Sequence, residues 1–169
     1  MANPLYGSNS FDNAADHEMA VPQSLKDIPD TTIATSGTVT YVYGININNH
    51  TGAASQVVTL PAAKKGKLCI HYQSVDTTGG VNTNIFDCAG DDVIATGSKI
   101  ESRNSSAVVF DTSVASETRL TYTPANATTN LLTIGCRIFF YCLTDGEWEV
   151  SADLSKDPLA VTGAFTFAS

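Results

Sequence analysis

Apolar residues recur at every second position along much of this chain, and the first clear run is GTVTYVYGININN, beginning at Gly37. Val39, Tyr41 and Tyr43 fall on one side of it and Thr38, Thr40 and Val42 on the other, the period of a β-strand and not of a helix. The stretch AASQVVTLP then runs to Pro61, which lacks the N–H that a sheet ladder requires and should end a strand there. Lys64, Lys65, Gly66 and Lys67 read as a solvated turn. The next strand places Leu68, Ile70 and Tyr72 on one face and Cys69, His71 and Gln73 on the other. VNTNIFDCAGDDVIATGSKIE gives two short strands around Ala89-Gly90-Asp91-Asp92, and SSAVVFDTS and TRLTYTP supply two more.

The clearest hairpin is TIGCRIFFYCLTDGEWEV, because Asp145-Gly146 is the pair that a two-residue type I′ turn selects. That loop sets Thr144 opposite Glu147, Leu143 opposite Trp148, Cys142 opposite Glu149 and Tyr141 opposite Val150. Gly135, Phe139, Tyr141, Leu143, Trp148 and Val150 then share a face with Arg137, and this is the expected core side. The other face carries Ile134, Cys136, Ile138, Phe140 and Cys142 and is nearly as apolar. A strand apolar on both sides must be covered on both, by a second layer or by another subunit. The second face, through Ile138 and Phe140, is therefore an expected intersubunit contact.

Short strands separated by Gly, Asn and Asp turns predict an all-β body, an antiparallel β-sandwich or a barrel-like fold of jelly-roll or β-tulip type. Three segments follow. Residues 1–36 are polar, interrupted by Pro4, Pro22 and Pro29, and read as an extended N-terminal arm whose Leu5, Tyr6 and Phe11 are candidate anchors on a neighbouring surface or subunit. Residues 37–150 are the β domain, and 151–169 a linker with a short strand or arm around Phe165 and Phe167.

Composition narrows the function classes. A net charge of −8 gains nothing from neutralising phosphates, so nucleic acid is not an expected partner. No apolar run is long enough to span a membrane, and MANPLYGSNSFDNAADHEM has neither a basic start nor an apolar signal core. The four cysteines, Cys69, Cys88, Cys136 and Cys142, are accordingly expected as free thiols in a reducing cytoplasm.

Candidate chemistry is sparse. Cys69 and His71 share a strand face, but no C-x-x-C or His-x-His spacing accompanies them, and buried thiols beside a histidine are the simpler expectation. Asp87, Asp91 and Asp92, with Asp76, resemble turn chemistry more than a calcium loop. Glu147 and Glu149 flank Trp148 on one strand edge, and no nucleophile, base and orienting group can be placed together. Neither an enzyme nor a cofactor is expected.

Three stretches taken in order, VTLPAAKKGKLCIHY, NTNIFDCAGDDVIATGSKI and IFFYCLTDGEWEV, resemble a pattern found in tailed-bacteriophage virion proteins: capsid decoration (cement) proteins and the tips of head and tail fibres. The resemblance spans Val57 to Val150. It implies an antiparallel β module, often a homotrimer, held on a virion and supplying contacts, with the major capsid protein as partner and the capsid surface, assembled in the host cytoplasm, as location. The leading expectation is a cement protein. The alternative is a trimeric head- or tail-fibre tip gripping a host receptor or glycan, with Tyr41, Tyr43, Tyr72 and Trp148 as a stacking platform.

Overall fold

In the computed structural model, residues 32–33, 37–51, 54–75, 83–103, 108–123, 134–153 and 164–169 are described. Among them are thirteen strands and no helix. The first seven are β1 (Thr32–Ile33), β2 (Gly37–Thr40), β3 (Gly44–Asn48), β4 (Gln56–Thr59), β5 (Leu68–Gln73), β6 (Asn84–Asp87) and β7 (Val93–Ile94). The rest are β8 (Lys99–Arg103), β9 (Val108–Thr112), β10 (Arg119–Thr123), β11 (Arg137–Thr144), β12 (Glu147–Asp153) and β13 (Ala164–Ala168). Leu5, Tyr6 and Phe11, named above as anchors, lie outside the described residues.

From β1 to β7 the chain crosses to the opposite sheet after every strand. Of these seven the odd ones enter sheet A, whose order is β1-β3-β5-β11-β12-β7, and the even ones sheet B, whose order is β13-β10-β6-β4-β2. Because each return to a sheet is made in the same direction, β1, β3 and β5 are mutually parallel, as are β2, β4 and β6. Antiparallel pairs join β11 to β5 and β12, and β10 to β6 and β13, while β12 and β7 are parallel. The all-β expectation holds and the architecture is a sandwich, not a closed barrel. The sheets are mixed, however, where antiparallel ones were expected. A parallel pair needs a crossover connection; here the crossover is a strand of the facing sheet, which short turn-bounded strands do not reveal in sequence.

The termini differ in outcome. Thr32 and Ile33, assigned to the arm, form a strand paired with Ile47 and Asn48. At the other end the short strand expected around Phe165 and Phe167 is present as β13, a member of sheet B with both phenylalanines buried in the core. The β8–β9 ribbon packs beside β12 and β13. It is fastened there by the Val150 amide donating to Ser98 Oγ at 3.1 Å and the Phe167 amide donating to Asp111 Oδ2 at 2.9 Å.

The inward faces of both sheets meet around Phe86. Its ring lies 5.6 Å from that of Phe140 and edge-on to His71 at 5.1 Å, with Val58, Leu120, Cys69 and Val150 filling the surrounding layer.

The β11–β12 hairpin overturns the expected register. Thr144 does oppose Glu147, but Tyr141 opposes Glu149 and Phe140 opposes Val150, so Cys142 and Leu143 together stand against Trp148. This is a β-bulge, and one extra residue reverses which side of a strand faces the core. Ile138 and Phe140 are fully buried alongside Trp148 and Val150, while Tyr141 and Leu143 point outward. Ile138 and Phe140 are thus covered within one chain by sheet B and are not an intersubunit contact. The turn also departs from type I′, since Gly146 has φ 83° and Asp145 is not among the residues of positive φ.

The bulge is clasped by the corner after Pro61. Gly66 N–H donates to the Cys142 carbonyl at 2.8 Å, Cys142 N–H to the Lys67 carbonyl at 2.9 Å, and Gly146 N–H to the Ala63 carbonyl at 2.9 Å. Asp145 Oδ1 accepts from Lys65 N–H at 2.7 Å and Asp92 Oδ2 from Ala63 N–H at 2.6 Å. The lysine-rich turn is therefore a docking cradle for the hairpin tip as well as a solvated loop.

Because Phe140 is a core residue, Phe140→Ala should destabilise the isolated chain by about 3–5 kcal/mol, the usual range for a buried phenylalanine. Denaturant unfolding at a concentration where the protein is monomeric checks this. An unchanged midpoint would return Phe140 to a surface role.

Candidate functional site

Two features stand out from an ordinary sandwich: a polar chain through its interior and an apolar surface on its outside. The interior chain begins with alternation. Asn46 and Asn48 on β3, His71 and Gln73 on β5, and Gln56 and Asn84 on β4 and β6 all occupy inward positions and are buried. The face of β5 that carries Cys69, His71 and Gln73 is thus the core face.

The hydrogen-bond directions can be read from fixed ends. Gln73 Nε2 donates to the His50 carbonyl at 2.9 Å and to the Val75 carbonyl at 2.8 Å, which orients its Oε1 as an acceptor. That oxygen, 3.1 Å from His71 Nε2, takes the ring proton, so His71 Nδ1 carries the lone pair. The Tyr41 hydroxyl, 2.7 Å away, donates to Nδ1. Asn48 Nδ2 in turn donates to the Tyr41 oxygen at 3.1 Å and to Gln56 Oε1 at 2.6 Å, while its Oδ1 accepts from His50 N–H at 2.7 Å. Tyr41 extends the β2 ladder through its amide to the Thr59 carbonyl, so the Tyr41–His71 bond joins sheet B to sheet A.

Burial sets the protonation states. Desolvation brings His71 down to about 3, against a weaker raising effect from Gln73, and holds the Tyr41 phenol well above its usual range. His50 is lowered by the same cause. Cys69 and Cys88 are pushed up to about 12 by burial, so neither is an activated thiolate. None of the four cysteines is in a disulfide.

The exterior feature is the outer face of sheet A. Pairing aligns Ile47, Tyr72, Arg137 and Asp153 in one row, Ile45, Ile70, Phe139 and Ser151 in the next, and Leu68, Tyr141 and Glu149 in a third. Isoleucine, leucine and aromatic side chains cover β3, β5 and β11, and acids cover β12. Phe139 and Tyr141 stack with ring centroids 6.0 Å apart, and at the end of the strip Leu143 is 64% exposed. Arg137 lies over the Tyr72 ring and Lys67 over the Tyr43 ring. The outer face of sheet B is different in kind. Thr166, Thr121, Ile85, Val57 and Thr38 align across it, above an ion pair of Arg119 with Asp87.

The sequence candidates distribute as follows. Asp87 is engaged by Arg119 and Asp92 by the Ala63 amide, while Asp76 lies outside the described residues. Among the described residues no group of three His, Cys, Asp or Glu side chains is placed to hold a metal. Tyr41 and Trp148 are core residues, which dissolves the four-ring platform, and Glu147 and Glu149 are exposed on β12. Phe139, Tyr141 and Leu143 were assigned to the core, and only the bulge shows them to be surface. Asn46, Asn48, Gln56 and Gln73 carried no site signal. Their polar positions two apart could have marked a polar interior only if the inward face had been known.

Neither a known protein family, nor a curated protein, nor a solved structure matches the chain.

Two outcomes follow from the interior chain. Since folding lowers the His71 pKa, the unfolded chain binds a proton that the folded chain refuses once pH falls below about 6.5, the ordinary histidine value. The stability contributed by neutral His71 is complete above that pH and is lost as pH falls toward 3. Unfolding free energies from urea titrations between pH 6.5 and 5, above the carboxylate range, should decline by up to about 1.4 kcal/mol per pH unit from this group, and His71→Gln should flatten the decline. Tyr41→Phe leaves His71 Nδ1 without its donor and should cost about 1–3 kcal/mol at neutral pH. A neutral result in denaturant titration would mean that the chain is not holding the sheets.

Proposed function

We propose that the chain is a structural component of a tailed-phage virion, decorating and stabilising the outer surface of the capsid as a cement protein. In this reading it seats on the major capsid protein as a homotrimer and supplies contacts, with no chemistry of its own. The observation that supports it is the apolar outer face of sheet A. Leu143 and Tyr141 are 64% and 38% exposed on a strand whose other side is already buried, and contiguous apolar surface of this kind marks interaction sites. A rigid sandwich with one apolar and one threonine-rich face suits a module that binds by surface. Binding only the assembled shell would stabilise that shell by mass action. The need for cover that the doubly apolar strand raised is thereby transferred from Ile138 and Phe140 to Phe139, Tyr141 and Leu143. The fibre-tip reading loses Tyr41 and Trp148 to the core, and the remaining Tyr43 and Tyr72 each carry a cation over the ring.

The test uses shells of the encoding virus prepared without this protein. Native protein should co-sediment with them at many copies per shell, and Leu143→Asp should bind about tenfold or more weakly, since burying one leucine is worth about 1.5–3 kcal/mol. Circular dichroism should show the variant folded. Absence of binding by the native protein would end the cement reading, and a handful of copies per virion would favour the fibre.

A further inference from the structure

We propose that the sandwich interior holds a water-binding site between His50 Nε2 and Asn84 Oδ1, and that the bound water ties sheet A to sheet B. Both residues are buried, at 2% and 3% exposed, and neither of these atoms has a hydrogen-bond partner among the described residues. A buried acceptor left bare carries its full desolvation penalty, so each atom calls for a donor. Connectivity places the two side by side. His50 N–H donates to Asn48 Oδ1 at 2.7 Å, Asn48 Nδ2 donates to Gln56 Oε1 at 2.6 Å, and Gln56 is the direct cross-strand neighbour of Asn84 in the parallel β4–β6 pair. His50 and Asn84 therefore flank the Asn48–Gln56 bond, His50 from just past the end of β3 in sheet A and Asn84 from the start of β6 in sheet B.

The chemistry of the two atoms selects the occupant. The Ala54 carbonyl favours the charged form of the His50 ring, so a ring N–H points at it. With Nε2 unpartnered, that proton is on Nδ1 and Nε2 carries the lone pair. Asn84 Oδ1 also only accepts. A molecule between two acceptors must donate twice. A cation does so, but no Asp, Glu, Lys or Arg is buried among the described residues, and a cation here would be an unpaired charge in the interior. Water donates two hydrogen bonds without bringing a charge, is the smallest molecule that does, and is the usual partner of buried polar groups that the protein itself leaves unmatched. The bridge then continues the polar chain of Tyr41, His71, Gln73, Asn48 and Gln56 to the end of the sandwich, where β3 and β5 finish and β4 and β6 begin. It also makes His50 and Asn84 act as one unit, since either acceptor alone holds the water poorly.

A high-resolution crystal structure of the intact chain tests the site directly, and should show one ordered water within about 2.7–3.2 Å of both atoms. Empty density, a protein donor in that position, or a metal recognised by its anomalous signal would each overturn the proposal. Urea unfolding of His50→Leu, Asn84→Leu and the double variant tests the coupling in solution. Each single substitution should lower the folding equilibrium constant about tenfold, and the double variant should lose little more than either, because one substitution already breaks the bridge. Losses that multiply to about a hundredfold would show two independent sites and overturn the shared water. His50→Gln, whose side-chain oxygen can accept where Nε2 does, should recover most of what His50→Leu loses. A glutamine variant as weak as the leucine one would mean that the histidine acts by packing alone, and the bridge would have to be abandoned.

Discussion

Two residues opposite one decide the character of this molecule. Cys142 and Leu143 against Trp148 put a bulge into the longest strand, and everything on that strand before it is turned over relative to a regular hairpin. The bulge does not stand unsupported. Both backbone groups of Cys142 bond to Gly66 and Lys67, and the hairpin tip rests on Ala63 and Lys65, so the corner after Pro61 fixes the register of a strand about seventy-five residues away in sequence. Once that register is fixed, Phe140 meets Phe86 and Ile138 enters the same core, and Phe139, Tyr141 and Leu143 are left outside. Core and surface patch are two results of one backbone irregularity.

Strand positions were legible because alternation at period two is a local property, and the turns at Pro61, Asp91-Asp92 and Asp145-Gly146 announce themselves by residue type. Which strands pair is not local. β3 and β5 lie side by side with β4 in the other layer, and nothing in the residues of Gly44–Asn48 distinguishes a parallel neighbour from an antiparallel one. Face assignment failed for a related reason. On β11 both sides are apolar, so the pattern could not choose, and the ideal turn that seemed to choose for it was altered by a long-range clasp. On β5 the more polar side, with His71 and Gln73, is the buried one. Hydropathy alone would have placed it in water.

The buried side of β5 is tolerated because its polar groups are matched in sequence. A polar group taken from water without a partner costs several times what a satisfied one returns. From Gln56 through Asn48, Tyr41 and His71 to Gln73, each donor meets an acceptor whose direction is fixed by the next bond, and the last amide ends on two backbone carbonyls. A dispersion-packed interface between two sheets can slide by a side chain at modest cost. One threaded by directional bonds has a single alignment, and the apolar layer around Phe86 is held in it.

Strand order in sheet A has a bearing on how the chain reaches its fold. The β11–β12 hairpin lies between β5 and β7, which are adjacent members of the same sheet along the chain, separated only by a strand of sheet B. While a ribosome is still making the segment before Arg137, β5 has an open edge and β7 has no partner. The gap between them fits two strands that do not yet exist. Completion of sheet A therefore waits for a late hairpin to enter that slot, and is of the slow kind expected when the decisive contacts are far apart in sequence. Until the slot is filled, the open β5 edge can take up a strand from a neighbouring nascent chain. Polysomes translating this message densely are where misassembled protein would first accumulate.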